Sequence, residues 1–126
     1  APDMQGYVDG MVQVLGRIAE DEALSRVLRI ATYRIEYVEE LGAVQARHLQ
    51  VHRQWLAHNR LALERAFAAS PHPAQVPPDM AALGLQVLIE GLLHSWLLDP
   101  GAFDLVQAGR STITTYLCGL GIRLRP

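Results

Sequence analysis

His48 and His52 stand four residues apart, a spacing that puts two imidazoles on one face of a helix within reach of a single metal ion. A zinc protease with that spacing carries a glutamate after the first histidine. Here Leu49 follows, and no cysteine or carboxylate stands at a supporting interval. Surface or core histidines are the better reading, so no metal and no cofactor is expected. Glu90 and His94 repeat the interval and suit an ion pair with each other or with a partner helix. Ser95-Trp96 and the run Ser111-Thr112-Ile113-Thr114-Thr115 lack the glycine-flanked turn that activates a serine nucleophile. No glycine-rich phosphate loop or dinucleotide fingerprint occurs. No catalytic residue is assigned, and the chain is not read as an enzyme.

The remaining polar groups interrupt apolar helical faces. Arg29 and Tyr33 lie one turn apart, and Trp55, His58 and Asn59 gather on a later stretch. A mostly apolar cavity with a few polar and aromatic groups is how small-molecule sites are composed. The other reading is that Tyr33 and Trp55 fill the core, with their polar atoms satisfied locally. From the residues alone the two stand level.

Helices must position these groups, because helical spacing of apolar residues recurs throughout and strand-like alternation does not. A first helix is expected from Asp3 to Ala19, with Tyr7, Met11, Val14, Leu15 and Ile18 inward. Its glycines weaken it, so it needs its neighbours. A second runs from Ala23 to Glu40, with Leu24, Val27 and Leu28 on its inner side, and Gly42 breaks the chain after it. The third spans Ala43 to Ala69 with two apolar stripes, one through Val51, Trp55, Asn59 and Ala62, the other through Leu49, Leu56, Leu63 and Phe67. A short proline-rich turn follows. Asp79 is expected to cap a fourth helix from Met80 to Leu98, and Asp104 a fifth from Leu105 to Leu120.

The fourth helix is long enough to cross a bilayer. Gln86, Glu90 and His94, however, make a polar line along it, and a carboxylate at mid-span is costly in lipid. It reads instead as a soluble helix buried on more than one side. Leu85, Leu88, Ile89, Leu92 and Trp96 face the domain's own core. Gly84, Val87, Gly91 and Ser95 face a second copy of the chain, joined there by Ile113 and Tyr116 of the fifth helix.

Bulk properties agree with a soluble, self-associating domain. Half of the 126 residues are apolar and under a fifth are charged, which leaves apolar surface for a partner or a lined cavity. A net charge of −2 with eleven scattered arginines and no lysine gives no phosphate-binding stripe. A single cysteine, Cys118, and the lack of a leader-like start are consistent with the cytoplasm. Because the chain opens on Ala1, a trimmed or fragmentary polypeptide is expected.

The stretch from Glu90 to Leu105, with Gly91-Leu92, Trp96-Leu97 and then Pro100-Gly101-Ala102-Phe103-Asp104-Leu105, resembles the end of the ligand-binding domain of TetR-type repressors. The subgroup it looks most like is the AcrR-like regulators of multidrug efflux. Arg26 to Val38, with Glu36-Tyr37, is similar to that family's sixth helix, and the two matches are in register over most of the chain.

The resemblance implies an all-α, five-helix ligand-binding domain over residues 1–126, its last two helices forming a four-helix bundle in a homodimer. It implies a cavity for small apolar or aromatic effectors. Arg29, Tyr33, Ile89 and Leu93 match family pocket positions, to which the helical faces add Trp55 and Asn59. The family's N-terminal helix-turn-helix domain is absent from this chain, so operator DNA would be bound only through that missing part. The expected function is effector sensing and dimerisation in a transcriptional repressor. The alternative is a stand-alone helical dimerisation module without a ligand.

Overall fold

A computed structural model describes residues 4–33 and 42–124, apart from the side chains at 30–33 and 43–45. Among the described residues it contains five helices and no strand: α1 (Met4–Glu20), α2 (Glu22–Tyr33), α3 (Gly42–Ala69), α4 (Pro78–Leu98) and α5 (Leu105–Gly119). The expected continuation of α2 toward Glu40 falls outside the described residues.

Helix α1 forms in spite of its glycines because it has a continuous inner stripe. Met4, Val8, Met11, Val12, Leu15 and Ile18 recur at steps of three and four and are all buried. Its main partner is α5, while α4 lies between α3 and α5. Leu15, Leu63, Leu85, Ile113 and Leu117 are fully shielded where these helices meet. Each such side chain contributes about 1.5–3 kcal/mol of burial. A second cluster of Leu15, Ile18, Trp96, Leu97 and Leu105 closes the end where α4 turns into α5. Gly109 makes the α1–α5 approach possible, since a Cβ there would lie 2.3 Å from Leu15 Cδ1.

Two expectations about the elements need correcting. Leu24 and Val27 do not line the inner side of α2 but are exposed; Ser25 is buried and Leu28 packs on the second cluster. The start of α4 is not capped by Asp79. Pro77 stands at the cap and Pro78 opens the first turn, where the absent N–H is no loss and the fixed φ suits a helix. Asp79 is thereby inside the first turn, and its carboxylate pairs with Arg60 Nε of α3 at 2.9 Å. Glu90 meets His52 of the neighbouring α3 and accepts from Gln86 Nε2.

The cap of α5 is as expected, with Asp104 Oδ1 accepting from the Gln107 N–H at 2.8 Å. Its far end is a feature the sequence reading did not anticipate. Gly121 adopts φ 84°, the Gly121 N–H donates to Cys118 O, and the Ile122 N–H donates to Leu117 O. That pairing is a Schellman turn, which glycine permits because it has no Cβ to clash at positive φ. The turn folds Ile122 back into the core and sets Arg123 beside α1 and α3.

Helix α4 is long and apolar enough to cross a membrane by length and composition. Its inner residues Ala81, Ala82, Leu85, Gln86 and Ile89 are nevertheless occupied by α3 and α5.

Candidate effector cleft and the polar chain beneath it

An open cleft of about 740 Å³ lies between α1, α3 and the turn after α5. Met4 and Met11 of α1, Ala62 and Ala66 of α3, and Ile122 supply apolar wall. At one end three rings meet. Tyr7 stacks on His58 with centroids 5.9 Å apart and planes 27° from parallel, and Trp55 stands edge-on to His58 at 5.6 Å. Both are ordinary aromatic geometries. The α3 contributors, from Trp55 and His58 through Leu61, Ala62, Arg65 and Ala66 to Ala69, recur at helical spacing, so one face of one helix forms a whole wall.

Directly under the rings lies a buried polar chain. The Tyr7 hydroxyl donates to Asn59 Oδ1 at 2.5 Å, and Asn59 Nδ2 donates to Gln86 Oε1 at 2.7 Å. Gln86 Nε2 donates to Glu90 Oε1 at 3.2 Å, and Glu90 meets the His52 ring at the surface. Asn59 is fully buried and Gln86 nearly so. No buried side-chain polar atom among the described residues lacks a partner. Burial pushes the Tyr7 hydroxyl well above its ordinary value of 10.0, so it remains a donor at any physiological pH.

The six expected pocket residues separate. Trp55 lines the cleft, and Asn59 lies beneath it through Tyr7. Arg29 is exposed on α2, Ile89 is buried in the core, and Leu93 packs partly buried against both core clusters. The side chain of Tyr33 lies outside the described residues. Neither Arg29 nor Ile89 nor Leu93 lines this cleft. Tyr7, on a helix read only for its apolar stripe, was missed. A tyrosine within such a stripe, facing an asparagine in another, was the available signal.

The expected dimer residues also divide. Val87 is 58% exposed, Gly91 is exposed with no atom within 4 Å of a Cβ position, and Ser95 is exposed. Gly84 instead accommodates Tyr116 of the same chain, whose hydroxyl donates to Ala81 O at 2.8 Å. Ile113 is fully buried in the chain's own core, so it supports α5 from behind and offers no surface to a partner. Beside Val87 and Gly91 the exposed face of α4 carries Met80, Leu83 and Leu98, the last 71% exposed. Among the described residues no three His, Cys, Asp or Glu side chains gather as metal ligands.

Five helices in this order, together with the family match over most of their length, make this an all-α regulatory domain of the TetR type. More particularly, the sequence profile of the MAATS-type transcriptional repressors, C-terminal region, matches residues 4–121, and the chain belongs to that family. It is also similar to the HTH-type transcriptional regulator AcrR of Shigella flexneri, with 24% identity over 107 residues. The match covers 85% of this chain and 50% of that relative, so the chain spans about half the length of the relative. No solved structure matches it significantly.

Proposed function

We propose that this chain is the effector-sensing and dimerising part of a cytoplasmic AcrR-like repressor. A small apolar or aromatic effector enters the cleft and relieves repression, in keeping with control of a multidrug efflux or transport gene. The observation that carries this is the cleft itself: about 740 Å³, within the usual size of small-molecule sites, walled by aliphatic groups and by the mutually contacting rings of Tyr7, Trp55 and His58. Operator DNA is contacted by a helix-turn-helix part outside this chain, and the polar chain from Tyr7 to Glu90 ties the cleft to α4. An effector shifts the repressor only by binding one arrangement of α4 better than another.

Dimerisation uses the outer face of α4. Met80, Leu83, Val87, Gly91 and Leu98 follow one another at steps that keep them on a single face, and such a stripe on a surface helix is the kind a partner covers.

Two measurements test the proposal. A panel of apolar aromatic compounds, including tetracyclines, flavonoids and dyes, is expected to raise the melting temperature with dose. Binding at a hundredfold excess over Kd adds about 2.7 kcal/mol, and a panel without any shift refutes the sensing role. For the dimer, Gly91→Leu leaves the monomer fold intact because nothing stands near its Cβ, yet it blocks close helix approach. Light scattering that finds a dimer of unchanged affinity rules out this face.

A further inference from the structure

Among the described residues, the charged side chains lining the cleft are of one sign. Of the ionisable groups lining it, Arg65 of α3 and Arg123 of the turn after α5 are cationic, and His58 and His72 are imidazoles; none is Asp or Glu. The neighbouring acids are engaged elsewhere. Asp9 accepts from Arg110 and Gln5, Glu64 and Asp79 share Arg60, and Glu90 meets His52. Among the described residues neither Arg65 nor Arg123 has a carboxylate within ion-pair distance. Two arginines, each a fork of donors with no acceptor, therefore border the cleft without an ion-pair partner among the described residues.

Their placement relative to the rings sets a length. His58 and Arg65 are seven residues apart on one face of α3, which is about 10 Å along the helix. A planar ring system held at the Tyr7–Trp55–His58 end thus reaches Arg65 at its other end if it is two or three rings long. Aromatic faces attract cations as well, but among the described lining residues a bound cation would meet two arginines and no carboxylate.

Resting on the reading of this cleft as the effector site, we propose that its effector is an aromatic anion: two or three rings carrying a carboxylate or sulfonate that Arg65 and Arg123 bind. The acidic group gains charge-assisted hydrogen bonds that a neutral or cationic analogue cannot make. Gly121 lines the cleft too, and its positive φ makes the turn that leaves Arg123 at the cleft.

The test is a matched set of fluorescent probes on the intact chain. 1-Anilinonaphthalene-8-sulfonate and N-phenyl-1-naphthylamine share one ring framework and differ by the sulfonate; ethidium supplies a planar cation. The sulfonate is expected to bind about tenfold more tightly than the neutral amine, which is the usual reach of one partly solvated charge-assisted contact. Salt should weaken the sulfonate and leave the amine alone. Arg65→Gln with Arg123→Gln should abolish the difference by weakening only the sulfonate. Gly10→Trp, which fills the cleft from a position with no atom within 4 Å of its Cβ, should remove both probes.

Equal binding of amine and sulfonate, or tighter ethidium, overturns the anion preference and leaves the cleft standing. Sulfonate binding that survives Gly10→Trp places the probe elsewhere and also overturns it. Failure of every probe to bind removes the cleft and the preference together. The wild-type ratio and its salt dependence decide the matter even where a variant fails to fold.

Discussion

Asn59→Ala is the most informative single perturbation of this domain. Asn59 is fully buried, accepts from the Tyr7 hydroxyl and donates to Gln86. Truncation removes two hydrogen bonds, each worth about 1 kcal/mol net. It also leaves the Gln86 carbonyl oxygen without its donor in the interior, at about 1–3 kcal/mol. The Tyr7 hydroxyl costs less, because water can enter from the adjoining cleft. With the lost packing, the total is about 3–5 kcal/mol, or roughly a 10–20 °C fall in Tm for a chain of this size.

Urea denaturation of the four members of a double-mutant cycle with Tyr7→Phe gives the partition. Tyr7→Phe alone is expected to cost about 1 kcal/mol, and in the Asn59→Ala background close to nothing, since the hydroxyl then has no partner to lose. Gln86→Leu combined with Asn59→Leu is expected to recover much of the loss, because the deep polar pair is then gone as a unit. A cost below about 1 kcal/mol for Asn59→Ala, or additivity within about 0.5 kcal/mol, would mean the chain is dispensable to the fold and the reasoning fails.

Other outcomes follow from the same structure. Burial raises the Tyr7 hydroxyl above 10.0, so above about pH 10 the unfolded chain releases a proton that the fold retains, and stability falls by about 1.4 kcal/mol per pH unit. Urea denaturation between pH 9 and 11 is expected to show the onset of that slope, a fall of about 1.4 kcal/mol over the two units, and Tyr7→Phe to flatten it. Tyr116, shifted the same way by burial, remains as a background. Gly109→Ala puts a Cβ against the fully buried Leu15 and should destabilise by about 1–3 kcal/mol, whereas Gly91→Ala meets nothing within the chain and should stabilise the dissociated monomer by up to about 1 kcal/mol; thermal melts at dilution separate the two. Gly121→Ala forces a Cβ into positive φ, costs about 1 kcal/mol, and should weaken anionic probes more than neutral ones as Arg123 is displaced.

The helices were legible because each carries a long apolar stripe; in the interrupted stripe of α3, Trp55 lines the cleft while Asn59 is buried against Tyr7 and Gln86. Asp104 was readable as a cap because it directly precedes a periodic run. Asp79 misled for the same reason: the side chain suits a cap, but the two prolines ahead of it had already started the helix. Periodicity tells which face of a helix is covered without naming what covers it. Hence Tyr7, which meets Asn59 fifty-two positions away, looked like one more core residue. The glycine pair on α4 suffered likewise, with Gly84 serving Tyr116 within the chain and only Gly91 left open. Positions carried over by resemblance, Arg29, Ile89 and Leu93, fell outside the cleft because family register does not specify how closely the helices approach around them.

The two tryptophans occupy unlike surroundings: Trp55 borders the cleft edge-on to His58, while Trp96 is 8% exposed in the second core cluster. The molecule therefore carries two optical reporters with separate duties. With Trp55→Phe, the remaining emission should follow melting of the core and ignore compounds in the cleft. With Trp96→Phe, it should respond to quenching or energy transfer as the cleft fills, well before any unfolding. Occupancy and stability can thus be read independently from the light this chain emits, with no attached dye.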